Sequence, residues 1–242
     1  MSENFAASVS GVSALAEPLR RRLYLYVVAQ PDAVSRDQAA AGVAVARHTA
    51  KFHLDRLVEE GLLDAEFRRL SGRDGPGAGR PAKLYRRSAR QVAVSLPERR
   101  YDLAGDVLAR AIEESGRAGM PVLDAVRRVA AETGRELAEG GHDKEDVSAE
   151  TSDVGRLTAV LASYGFEPRV DGERVVLGNC PFHTLAREHT GLVCGMNLEL
   201  VSGVIDGLGC TGLVAELDPD PDRCCVTTRP RNDYQNARST LI

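Results

Sequence analysis

Apolar positions in the first ninety residues fall into short blocks with helical spacing. Leu15, Leu19, Leu23, Tyr26 and Val27 share one face of the stretch 12–30, which predicts an amphipathic helix. Pro18 sets its start near Glu17 or kinks it there, and Pro31-Asp32 ends it. Ser35 suits the N-cap of a short helix over 36–41, with Gly42 as its terminator. A third helix is expected over about 46–60, with Phe52, Leu54, Leu57 and Val58 on its apolar side and Gly61 at its end. Two short helices joined by a tight turn at 42–45 describe a helix-turn-helix. Alternation then replaces the helical period. Residues 66–70 and 83–87 read as strands around a Gly- and Pro-rich segment, 71–81, so a hairpin follows the second helix directly. That order is the layout of a winged helix.

Further along, 101–115 and 121–137 are amphipathic helices. The first carries Leu103, Val107, Leu108, Ala111 and Ile112, and the second Val122, Val126, Val129 and Ala130. They suit dimerisation and coupling, so a homodimer is expected; completing the core of a monomer is the alternative. Residues 140–150 are polar without a period and read as a linker. The region 151–228 mixes helices with strands at 168–170, 174–177, 213–217 and 224–228. The expected fold class is therefore α+β: a flexible N-terminus (1–11), a winged helix-turn-helix (12–95), a helical region (96–139), the linker, an α+β domain (151–228) and a polar tail (229–242).

Charge sharpens this division. Residues 1–100 hold 17 Lys and Arg against 11 Asp and Glu, whereas residues 101–242 hold 14 against 24. A basic half joined to an acidic half suits a nucleic-acid module attached to a different kind of module. The hairpin concentrates the cations, with Arg68, Arg69, Arg73, Arg80, Lys83, Arg86 and Arg87 against only Glu66 and Asp74. A protein-binding winged helix with a solvated basic face is the alternative. No run of about 18 apolar residues is present, which predicts no membrane partner. Met1 to Ser10 lacks the basic and apolar parts of a secretory leader, so a cytoplasmic protein is expected.

The run from Ala46 to Leu63, followed by Gly79-Arg80-Pro81-Ala82-Lys83-Leu84-Tyr85, resembles the winged helix-turn-helix of ArsR- and DeoR-type bacterial regulators. The resemblance covers about residues 12–90. It implies that Arg47, His48, Thr49 and Lys51 open a recognition helix whose side chains reach base edges in the major groove. His53 and Arg56 would meet the backbone, and Arg80 and Lys83 would neutralise phosphate or enter the minor groove. It further implies double-stranded DNA with a pseudo-palindromic operator as partner, bound by a homodimer.

All five cysteines (Cys180, Cys194, Cys210, Cys224 and Cys225) lie in the last 63 residues. Such clustering in a cytosolic setting fits metal, cluster or redox chemistry, and equally fits buried small hydrophobes. One unbroken helix would hold Cys180 and Cys194 about 21 Å apart; they converge only if it breaks, for which Thr190-Gly191 is suited. Cys224 and Cys225 are adjacent on an expected strand and should face opposite sides. Cys210, after Gly209 in a turn, has least support as a ligand.

The run Asn179-Cys180-Pro181-Phe182-His183, then Cys194, then a cysteine opening the last strand, resembles the sensor half of the Suf-operon repressors. Those regulate iron–sulfur cluster assembly. The resemblance spans about residues 155–228 and implies an iron–sulfur cluster on Cys180, Cys194 and one of Cys224 or Cys225, with Cys224 preferred. His183, one turn beyond Cys180, is the expected fourth ligand, and zinc is the alternative to the cluster. The thirteen residues between Cys180 and Cys194 and the doubled cysteine depart from the family pattern. No phosphate loop, nucleophile elbow or dinucleotide fingerprint is present, so no enzymatic activity is expected. The combined expectation is a transcriptional repressor that senses iron–sulfur or redox status; the alternative is the same DNA-binding regulator with structural zinc, free-thiol sensing or a small ligand and no metal.

Overall fold

The computed structural model describes residues 3–69, 81–140 and 152–231. It divides into two compact units, Met1–Val94 and Ser95–Ile242.

The N-terminal unit runs α1 (Glu3–Ala14), α2 (Pro18–Val28), β1 (Val34–Ser35), α3 (Arg36–Val43), α4 (Arg47–Glu59), β2 (Leu63–Arg68) and β3 (Ala82–Arg87). Within the expected flexible N-terminus, residues 3–11 instead contribute most of α1, whose Ala14 joins the core. Pro18 is the first residue of α2, and the Glu17 carboxylate accepts hydrogen bonds from the Leu19 and Arg20 amides. These contacts hold the Glu17 carboxyl below its usual range. Ser35 and Gln38 form a reciprocal capping box at the start of α3. That helix runs through Gly42, contrary to expectation, and ends at Ala44 with φ at 56°. Gly42 serves close packing instead, because a Cβ there would overlap the Tyr26 ring.

A three-stranded antiparallel sheet has the order β1-β3-β2, with Val34 opposite Tyr85 and Leu63 opposite Arg87. Gly61, at φ 69°, makes the sharp turn from α4 into β2, a conformation that would strain a side-chain-bearing residue. Leu23, Val27, Leu54, Leu57, Leu63 and Tyr85 form the centre of the core. Burying each such side chain contributes about 1.5–3 kcal/mol, so this core anchors α4 to α2 and to the sheet. The wing tip expected over 71–80, including Arg73 and Arg80, lies outside the described residues.

The C-terminal unit contains α5 (Tyr101–Ala118), α6 (Val122–Gly140), α7 (Asp153–Ser163), β4 (Pro168–Asp171), β5 (Arg174–Leu177), α8 (His183–Glu188), α9 (Thr190–Gly207), β6 (Leu213–Leu217) and β7 (Val226–Pro230). Its four strands form an antiparallel sheet of order β4-β5-β7-β6. One core joins Val107 of α5 and Val126 and Val129 of α6 to Leu161, Leu200, Val204 and Val226. The two central helices, expected as a separate coupling region, therefore share their core with the cysteine-bearing domain. The linker expected over 140–150 lies beyond Gly140 outside the described residues, and so does the tail from 232 onward.

The approach of α6 to α9 is set by glycines. A Cβ on Gly134 would overlap the Leu200 carbonyl, one on Gly203 would overlap the Ala131 carbonyl, and one on Gly207 would press on Ala138. Three missing side chains thus let two backbones touch. Gly134→Ala is expected to cost 2 kcal/mol or more, roughly the upper range of overpacking effects. Gly105→Ala, where nothing lies within 4 Å of the added methyl, should instead gain about 0.5–1 kcal/mol. Urea unfolding of the two variants checks the contrast.

Candidate nucleic-acid interface and thiol site

Helix α4 turns one stripe to solvent and the other to the core. Ala50, Leu54 and Leu57 are buried, while Arg47, His48, Lys51, Phe52, Arg56 and Glu59 are exposed. Phe52, expected on the apolar side, is 66% exposed. Leu54 and Leu57 of the expected apolar side are buried, but Phe52 lies beside Lys51 on the outer stripe and Ala50 takes the inner position. Thr49 is half-buried. His53 is turned inward, with its side chain only 12% exposed. Arg20 Nε donates to its Nδ1 at 3.5 Å, Glu17 Oε2 lies 3.6 Å away, and its ring meets Phe52 edge-on at 5.3 Å. Its surroundings make it a packing residue between α2 and α4, whereas the DNA-facing role was expected from its position in sequence.

Each described cation of the expected DNA contact set, His48 aside, meets an intramolecular carboxylate. Arg47 pairs with Asp37 of α3 at 2.5 Å, and Arg56 reaches Glu59 at 3.2 Å and Glu60 at 2.5 Å. Lys51 and Lys83 converge on Asp55, at 2.9 and 2.6 Å. Exposed pairs such as Arg47–Asp37 are worth about 0–1 kcal/mol and exchange readily for phosphate. Asp55 is different because Tyr85, a core residue of β3, also donates its hydroxyl at 2.8 Å. Burial works against the Asp55 charge, but hydrogen bonds from Lys83, Lys51 and Tyr85 outweigh it and hold the carboxyl down at about 2. In turn burial, and then the Asp55 contact, push the Tyr85 hydroxyl up.

Asp55 therefore fastens the wing strand to the outer edge of α4. Its signal in the sequence is the i, i+4 spacing from Lys51. Because its folded pKa lies below the ordinary value of 3.8, its stabilisation is complete above about pH 4 and disappears as pH falls toward 2. Asp55→Asn should lower stability by about 1–2 kcal/mol at pH 7, and the gap to the native chain should close toward pH 2. Urea unfolding followed by circular dichroism at pH 7, 4 and 2.5 tests this.

The second site lies in the C-terminal unit. The helix expected to begin near Pro181 is broken at His189 (φ −128°, ψ 49°), which separates α8 from α9. The break lets Cys194, in the second turn of α9, return toward Cys180, which sits in the loop after β5. Cys224 and Cys225 lie in a bend ahead of β7, not on the strand itself. Alternation does not govern a bend, and the two thiols join one network instead of facing apart. Cys180 contacts Cys224, Cys224 contacts Cys225, and Cys225 contacts Cys194. Cys180, Cys194 and Cys224 are buried and Cys225 is half-buried. The structure thus makes pairwise neighbours of Cys180, Cys224, Cys225 and Cys194.

His183 takes no part in this network. It opens α8 with its backbone amide on the Cys180 carbonyl at 3.0 Å and its imidazole exposed. Cys210 is buried elsewhere, with its Sγ 3.6 Å from the Asp153 carbonyl oxygen.

Contact and burial raise three of these thiols above their ordinary range. The contact with Cys224 and then burial push the Cys180 thiol up. At Cys224 the Cys180 contact favours the thiolate, but the Cys225 contact and burial outweigh it, and the group is pushed up to about 12. Burial raises Cys194 as well. Asn197, one turn beyond Cys194 and 1% exposed, donates Nδ2 to Cys224 Sγ at 3.2 Å. Its Oδ1 is buried with no hydrogen-bond partner, an arrangement that costs about 1–3 kcal/mol.

Four soft sulfurs without a carboxylate are a donor set for iron–sulfur clusters or zinc, and an amide N–H on sulfur is a known lever on cluster potential. The sulfurs meet in pairs, however. Among the described residues no three His, Cys, Asp or Glu side chains form a ready-made metal cage, so holding an ion would require side-chain rotation.

The cysteine loop is also tied to the segment that opens the C-terminal unit. Asn179 donates Nδ2 to the Glu98 carbonyl at 3.0 Å and to the Gly165 carbonyl at 2.6 Å. Arg99 Nη1 donates to Asn179 Oδ1 at 2.5 Å and to the Cys180 carbonyl at 3.4 Å, and the Arg100 amide donates to the Pro181 carbonyl at 3.1 Å. Residues 98–100 and 179–181 are in effect one hydrogen-bonded unit.

Compared with known proteins, residues 15–66 match the family model of a helix-turn-helix domain. The match takes in α2 through most of β2, including the whole of α3 and α4. It supports a DNA-binding regulator of winged helix-turn-helix type. No curated protein and no solved structure matches the chain. Among the described residues, no helix is long and apolar enough to cross a membrane.

Proposed function

We propose that the chain is a transcriptional repressor that binds a pseudo-palindromic operator as a homodimer and senses iron–sulfur or redox status through Cys180, Cys194, Cys224 and Cys225. The observation that carries the sensing half is the group of four neighbouring thiols, three of them buried, whose loop is hydrogen-bonded to residues 98–100. The DNA-binding half rests on the helix-turn-helix domain and on Arg47, His48, Lys51 and Lys83 at one edge of α4 and the wing. Uncovered apolar side chains at Ile112 of α5 and at Val122 and Leu123 of α6 support a second copy as partner, since a twofold operator asks for a twofold protein.

A cluster held by the four thiolates would supply a redox-labile, oxidant-sensitive centre. The chain's own part is to exclude water from the sulfurs, to donate Asn197 Nδ2 to Cys224, and to transmit a shift of Cys180 through Asn179 and Arg99 to the segment that follows the N-terminal unit. Zinc is the second reading, favoured by the all-cysteine set, because four thiolates are a usual closed shell for structural zinc. The exposure of His183 argues against mixed thiolate–imidazole ligation under either reading.

Iron, sulfide and zinc content after purification without oxygen, taken with the visible absorption, test the proposal. Matching iron and sulfide are expected, lost in Cys180→Ser and Cys225→Ser and retained in His183→Ala. About one zinc per chain would select the second reading, and a chain without either metal would refute metal sensing. Asn179→Ala should keep its metal while its DNA affinity stops following the metal state.

A further inference from the structure

The DNA-binding reading accounts for the polar residues of α4's outer face and leaves Phe52 unexplained. Its phenyl ring is 66% exposed, flanked by His48 one turn earlier, Lys51 beside it and Arg56 one turn later, all exposed. None of the buried α4 residues shares that stripe. The ring is not loose: it stands edge-on to His53, with 5.3 Å between ring centroids and 74° between planes, and His53 is itself held by Arg20. An aromatic group set in water among charged side chains, with Lys51 paired to Asp55 and Arg56 to Glu59, is poorly placed to bind an apolar protein face, because the partner would have to desolvate those charges. It is well placed in a major groove, where the cations meet phosphate and an apolar group has one apolar target, the C5 methyl of thymine.

We propose that Phe52 is a specificity-determining residue that packs on a thymine methyl of the operator. This rests on the DNA-binding reading and adds to it a base identity. His48 lies one turn closer to the helix start, where side chains reach base edges, so the thymine would neighbour the base that His48 meets. Recognition at this step is by shape and apolar contact, not by hydrogen bonding. Phe52 should therefore add sequence preference without altering the number of phosphates neutralised.

The test uses the full chain and begins by selecting bound duplexes from a random pool. Each thymine of the selected duplex is then replaced in turn by deoxyuridine, which lacks only the methyl. For at least one position the native chain should lose about fourfold in affinity, the worth of one buried methyl. Phe52→Ala should bind the thymine and uracil duplexes equally, with an unchanged dependence on salt. A native chain indifferent to every uracil substitution, or a Phe52→Ala chain as sensitive as the native one, would overturn the assignment while leaving DNA binding intact. Failure of any duplex to be enriched would overturn the DNA-binding reading itself, and Phe52 with it. The side chain is exposed, so its removal leaves the core untouched; an unchanged circular dichroism spectrum confirms that the variant is folded.

Discussion

Backbone contact between α6 and α9 is the constraint on which the C-terminal unit depends. Gly134, Gly203 and Gly207 remove the three side chains that would hold the helices apart. The axis of α9 is then fixed by hard contact with α6, not by compressible side-chain packing. Cys194 and Asn197 sit on this helix, and Asn197 reaches Cys224. The position of α9 thus decides whether the sulfur of Cys194 meets those on the sheet side of the site. The same packing draws α5 and α6 into the core of the cysteine-bearing unit.

In the N-terminal unit the corresponding role falls to one carboxylate. Asp55 gathers Lys51 from its own helix and Lys83 and Tyr85 from the wing strand. Lysines crowded on one surface repel one another. The Asp55 carboxylate relieves that repulsion and fastens β3 to α4.

Much of the DNA-binding unit was legible in the sequence because local rules sufficed. Pro18, the Ser35–Gln38 box and Gly61 each mark a helix end by a mechanism that acts within four residues. The outer face of α4 was less legible. Phe52 counts as apolar in any periodicity, and only the packing of Ala50 and Leu54 against α2 shows that the stripe excludes it. His53 is polar in sequence and nearly buried in space for the same reason. The thiol site was legible in its cysteines but not in its geometry. Strand alternation was applied to Cys224 and Cys225, yet the bend before β7 releases both from it. His183 was proposed by helical spacing from Cys180, but Cys180 lies in a loop, where that spacing has no force. The glycine contacts of α6 and α9 join residues some seventy positions apart, which no local pattern reports.

The proposed function requires that the state of the thiol site set DNA affinity. Hydrogen bonds among Glu98, Arg99, Asn179 and Cys180 tie the cysteine loop to the start of the C-terminal unit. The most direct measurement is the affinity of one labelled operator duplex for the chain purified without oxygen, before and after treatment with a chelator and peroxide, at fixed salt. A change in Kd of about tenfold, within the usual span of coupling between sites, at constant helix content is the predicted result. Equal affinity in the two states would contradict the account and leave the cysteines as packing residues of a DNA-binding protein.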